Sequence, residues 1–174
     1  EKLATIFYTL LKYVGLIFFP HPLTHDYYPM QIPMMSFGDV KVLGSLILYG
    51  IMAYGIYYFY KRDRIISFSL LYFLITLSIV SNVFVNIGTN MNERFMFMPS
   101  LGFCILIPHL IFKYSKSKNL TLGIIGAIVL AFSIKTISRN NIWKNDFTLF
   151  TTDVKTSTNS AKVLNAAGGA LVTE

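Results

Sequence analysis

The sequence predicts an all-α fold: a polytopic bundle of about five membrane-spanning helices followed by a helical tail outside the membrane. Three observations predict it. The 174 residues are 54% hydrophobic and only 13% charged, with mean hydropathy +0.56, which leaves too little polar surface for a soluble domain. Apolar runs of near-spanning length alternate with short polar breaks. The basic residues fall in clusters between those runs rather than along one face, so the formal net charge of +7 sets topology and does not point to nucleic acid.

The first span is predicted over 3–19, with Lys12 as its one internal charge and Pro20 as its stop. Lys12 either faces a neighbouring helix or snorkels. From His21 to Gly38-Asp39, Pro22, Pro29 and Pro33 forbid a regular helix, and Tyr27 and Tyr28 suit the headgroup level. His21, His25 and Asp26 superficially resemble a metal site. Pro22 spoils helical presentation and no distant third ligand is evident, so metal is set aside. His25 and Asp26 stand as a candidate acid–base pair or as residues that tie the loop down.

The second span is predicted over 40–60, with Gly44, Ser45, Gly50 and Gly55 as small packing surfaces. Lys61-Arg62-Asp63-Arg64 ends it. The third covers 65–87, with Ser78, Ser81, Asn82 and Asn86 bonding to neighbouring helices or, as the alternative, lining a polar cavity. Gly88 to Asn92 form a polar turn, and Glu93-Arg94 then stand at the mouth of the fourth span, 95–112, kinked by Pro99 and Pro108. Cys104 reads as a small buried hydrophobe. Lys113, Lys116 and Lys118 precede the fifth span, 120–137.

The two basic loops share one side, which the positive-inside rule makes cytoplasmic. The loop at 20–39, the turn at 88–94 and the tail from about Ser138 then lie on the other side. In that tail Trp143, Phe147, Phe150 and Val154 mark the apolar face of a helix starting near Asn145 or Asp146. Leu164, Ala167, Gly168 and Leu171 fall on positions of the tetratricopeptide pattern, so 138–174 reads as the start of such repeats, with a generic amphipathic helix as the alternative. A chain that opens at Glu1 without Met and stops at Glu174 within a helical pattern reads as an internal piece of a longer protein.

Charges at a membrane boundary are candidates for function. Glu93 suits the first turn of a helix; Arg94 opposes the positive end of the helix dipole. A forked cation beside free backbone N–H groups makes an anion site; the alternative is that Arg94 snorkels or pairs with Asp26.

Three stretches together carry a family resemblance: PHPLTHDYYPMQIP, NERFMFMPSLGFCILI and RNNIWKNDFTLFTTDVKTSTNSAKVLNAAGGAL. The chain resembles the transmembrane, tetratricopeptide-repeat-containing O-mannosyltransferases and the bacterial membrane proteins like them. That family is similar to the GT-C glycosyltransferases, which take sugar from a polyprenyl-phosphate donor on the non-cytoplasmic face. The resemblance implies an integral membrane protein, of a bacterial inner membrane in the bacterial type, with a periplasmic or lumenal tail. It implies a protein acceptor or partner, no further cofactor, and a catalytic acidic loop upstream, so no catalytic residue is expected here. It makes the Arg94 anion the donor phosphate, with His25, Asp26, Tyr27 and Glu93 as the site loop. The rival reading is a non-enzymatic membrane anchor presenting a repeat domain to protein partners.

Overall fold

The computed structural model describes residues 1–84, 87–115 and 117–173. Asn86 and Lys116, both given roles above, lie outside the described residues. Every regular element among those described is helical. They are α1 (Lys2–Phe18), α2 (Val40–Phe59), α3 (Arg64–Val80), α4 (Phe97–Tyr114), α5 (Lys118–Asn140), α6 (Asp146–Asp153) and α7 (Ala161–Thr173). Short 3-10 turns at Glu93–Met96 and Asn141–Lys144 lead into α4 and out of α5.

Among the described residues, three helical stretches are long and apolar enough to cross a membrane: Val40–Phe59, Glu93–Tyr114 and Lys118–Lys144. The α2–α3 and α3–α4 pairs are antiparallel. Ser67 Oγ donates to Ile56 O at 3.0 Å, joining the end of α2 to the start of α3. Phe73 meets Phe103 edge-on, with ring centres 4.8 Å apart, where α3 crosses α4. A Cβ on Gly102 would lie 2.6 Å from Ser69 O, so glycine is what allows this approach. Of the glycines singled out in α2, only Gly55 faces a close neighbour, Leu70. Cys104, expected inside, is exposed.

At the end holding the basic loops, Asp63 caps α3 by accepting from the N–H groups of Ile65 and Ile66. The same carboxylate accepts from His109 Nε2 at 2.8 Å and Lys113 Nζ at 2.7 Å, and these bonds hold it well below the usual carboxylate range. One acidic side chain therefore gathers both basic loops.

Helix α1 departs from expectation. Ser45 Oγ donates to Phe7 O, and Tyr49 OH to Leu10 O. Paired numbers rise together, so α1 and α2 run in the same direction, whereas consecutive alternating spans run in opposite ones. Both flanks of α1 are held by the same end of the molecule. Thr5 Oγ1 accepts from Met35 N, and six residues past Phe18, Thr24 N donates to Glu93. The loop at 20–39 folds back over α1 and buries Tyr27 and Ile32 in the common core with Tyr13, Phe73 and Met91.

Helix α3 stops at Val80 rather than near Ile87. Asn82 takes a left-handed φ of 61°, and its amide bonds both Ile87 N and Thr89 O, turning the chain before the expected end. Pro99 and Pro108 both lie within α4, which continues through them. In the tail, Asn145 caps α6 through Thr148 N, as expected, but the buried residues are Leu149 and Asp153. Trp143 is 57% exposed, and Phe147, Phe150 and Val154 are half-buried. On α7, Ala167 is buried while Leu164, Gly168 and Leu171 are exposed.

Candidate functional site

The loop at 20–39, the turn before α4, the end of α5 and the tail meet at one place. Asn92 organises it from a 5% exposed position. Its backbone is extended as the cap of the 3-10 turn, and its Oδ1 accepts from Arg94 N. Its N–H donates to Tyr13 OH at 2.9 Å, and its Nδ2 to His25 O at 3.2 Å. One side chain and its own N–H thus join α1, the loop and the turn.

Glu93 does not serve the helix end. Its Oε1 turns back to the loop and accepts from Thr24 N at 2.6 Å and from Tyr27 OH at 2.8 Å. Burial first, and the adjacent Glu93 charge second, push the Tyr27 hydroxyl above its ordinary range. The phenol therefore stays protonated and remains a donor to the carboxylate. Among the described residues Glu93 Oε2 makes no hydrogen bond.

His25 faces the tail rather than Asp26. Its N–H donates to Asp153 Oδ2 at 2.7 Å, and its Nδ1 lies 3.1 Å from the same oxygen. A carboxylate only accepts, so the imidazole proton sits on Nδ1. Phe150 packs on the ring at 5.1 Å. Asp153 is 1% exposed and also receives the fork of Arg139, at 2.7 and 2.8 Å. Burial alone would raise this carboxyl. The Arg139 fork and the His25 bonds outweigh burial and hold it below the usual carboxylate range.

Asp26 closes its own turn through Tyr28 N at 2.6 Å, and its second oxygen meets Lys162 Nζ at 3.4 Å. It is neither the partner of His25 nor, among the described residues, that of Arg94. Arg94 is exposed, its guanidinium 5.8 Å from the Phe95 ring centre. The N–H groups of Arg94 and Phe95 are both taken by Asn92, so these two are not free for an anion. Any anion affinity here rests on the guanidinium.

The tail adds a seam of small hydroxyls. Ser157 Oγ, fully buried, donates to Thr24 Oγ1 at 2.9 Å, and Ser160 Oγ donates to Tyr28 O. Gln31 clamps Thr156 O and Asn159 N. The structure thus brings His25, Tyr27 and Glu93 together, uses Asp26 as a local brace and leaves Arg94 at the rim. Asn92, Arg139, Asp153 and Ser157 were not foreseen. An arginine in the last turn of an apolar helix was the one available signal, since a cation without a nearby acid needs a distant partner.

No family model and no solved structure matches the chain. Curated relatives do. Protein O-mannosyl-transferase TMTC3 of Mus musculus is 32% identical over 98% of this chain and 19% of its own length. Protein O-mannosyl-transferase TMTC1 of Homo sapiens is 30% identical over 93% of the chain and 20% of its own. Protein O-mannosyl-transferase F38B6.6 of Caenorhabditis elegans is 28% identical over 90% of the chain and 23% of its own. These relatives are animal proteins and lend no support to the bacterial type expected above. The chain spans about a fifth of the length of the curated relatives it matches, and over that span it belongs to the TMTC family of proteins named protein O-mannosyl-transferases.

Proposed function

We propose that the chain is part of a membrane glycosyltransferase that moves a sugar, mannose in the names of its relatives, from a polyprenyl-phosphate donor to a protein on the extracytoplasmic side. The similarity of nearly the whole chain to proteins named protein O-mannosyl-transferases carries this reading. The proposal places four crossings, α2 to α5, in place of five, with α1 entering and returning on one side. The direction shared by α1 and α2 supports it. The cluster of Glu93, His25 and Asp153 then lies outside the cytoplasm, opposite Asp63 and Lys113, and the tail is the start of tetratricopeptide repeats.

Sugar transfer requires a base for the acceptor hydroxyl and a cation for the departing phosphate. The base is assigned upstream of this chain, as the family resemblance implies. Arg94, an exposed guanidinium at the mouth of α4, is assigned to the phosphate.

The test is mannose transfer from a polyprenyl-phosphate donor to a hydroxyl-bearing peptide by the full-length protein in vesicles. Arg94→Ala should lower transfer by about a hundredfold, with Arg94→Lys falling between it and wild type. Thermal stability should stay at the wild-type value. Loss of fold in Arg94→Ala, or unchanged donor binding, removes the phosphate site. A well-folded wild type without transfer favours the anchor reading.

A further inference from the structure

Tail and loop are far apart in sequence yet share a continuous polar seam. Arg139 stands in the last turn of α5, so its position is fixed by the helix. It grips Asp153, at the end of α6, through both carboxylate oxygens. Asp153 Oδ2 in turn receives the backbone and ring of His25. Thr24 N, one residue before His25, and Tyr27 OH, two residues after it, are the two donors that hold Glu93 Oε1. The chain of contacts therefore runs from helix to tail, from tail to loop, and from loop to Glu93.

We infer that Arg139 and Asp153 form a clasp by which the tail sets the conformation of the 24–27 loop and, through it, the orientation of Glu93. They are positioning residues; neither is assigned a contact with substrate. Three observations carry the inference independently of any activity. Asp153 is a carboxylate buried to 1% exposure whose polar contacts all serve the clasp, and a buried charge of this kind is costly unless paired. The loop lacks helix or strand to fix it, so its backbone donors rely on these side chains. The seam continues past the clasp through Ser157, Ser160 and Gln31, which excludes a single chance contact. The consequence for the reading above, on which only the catalytic part rests, is that the tail is a working part of the transferase site as well as a surface for proteins.

The full-length protein with Cys104→Ser provides the test, using Arg139→Gln with and without the pair Thr24→Cys and Ser157→Cys. The native oxygens of that pair are 2.9 Å apart, so the two side chains face each other as a bridge requires. Exchange of the Thr24 and His25 backbone amides should speed up about tenfold or more in Arg139→Gln. Oxidising the cysteine pair should restore protection. Transfer should fall about tenfold to a hundredfold in kcat, with little change in donor KM, and should return on oxidation but not under reductant. Unchanged exchange overturns the clasp whatever the activity does. Restored protection without restored transfer overturns the positioning role, because Arg139 then acts on substrate directly. Faster exchange that oxidation reverses, in a wild type that shows no transfer at all, upholds the clasp and removes the transferase reading.

Discussion

Ser69 Oγ is, among the described residues, the buried side-chain oxygen left without a hydrogen bond, and it lies where α3 meets α4. A buried hydroxyl with no partner carries its desolvation cost uncompensated. Ser69→Ala should therefore raise stability by about 1 kcal/mol in a detergent thermal melt. Gly102→Ala should do the reverse. Its Cβ would meet the backbone oxygen of Ser69 at 2.6 Å, and backbone cannot rotate away. A loss of about 1–3 kcal/mol is expected, and Ser69→Ala should not rescue it, because the clash is with the main chain. Full rescue would mean that the two helices are held apart by the hydroxyl instead. At this scale the sequence revealed types more readily than partners. Glu93 and His25 announced themselves as polar residues at a boundary, but Asp153 did not, because a carboxylate on a short tail helix reads as solvated. Its partner Arg139 is 14 residues away and His25 is 128 away, separations that no local pattern encodes.

The elements were legible wherever hydropathy alone decided them. The ranges of α2 and α5 fall close to expectation because nothing but length and apolar content defines them. Where a polar side chain rules, expectation failed. Asn82 turned the chain out of α3 early, and Asp153 took the inward face of α6, about a quarter-turn from the aromatic stripe that periodicity favoured. The direction of α1 was illegible in principle, since an apolar run has no sign. The docking of α6 carries a pH dependence that follows from Asp153. Its carboxyl is held below its unfolded value of about 3.9, so the ionised form favours the docked tail. That contribution should be complete above about pH 5 and should drain away as pH falls below about 4. Limited proteolysis of the 140–160 region against pH measures it. Asp153→Asn should flatten the curve; an unaltered curve would place the sensitivity elsewhere.

For the whole molecule, the decisive question is which segments share a side. Single cysteines at Met30, Ser117 and Thr158, all exposed, in a Cys104→Ser background, provide reporters. Met30 and Thr158 should react with a membrane-impermeant thiol reagent from one side, and Ser117 only from the other. Thr24 is unsuitable despite its place in the loop, because it is 1% exposed. Labelling of Ser117 together with Thr158 would refute the arrangement. The seam between loop and tail also sets an order of events during synthesis. Thr24 meets Ser157 across 133 residues of sequence, which a ribosome working at about 5–20 residues per second takes roughly 7–27 s to add. Over that interval the loop has left the ribosome while its partners have not been made. Its backbone donors must be served by water or by a helper protein until the tail arrives, so nascent chains arrested before Ser157 are the ones that quality control should recognise as unfinished.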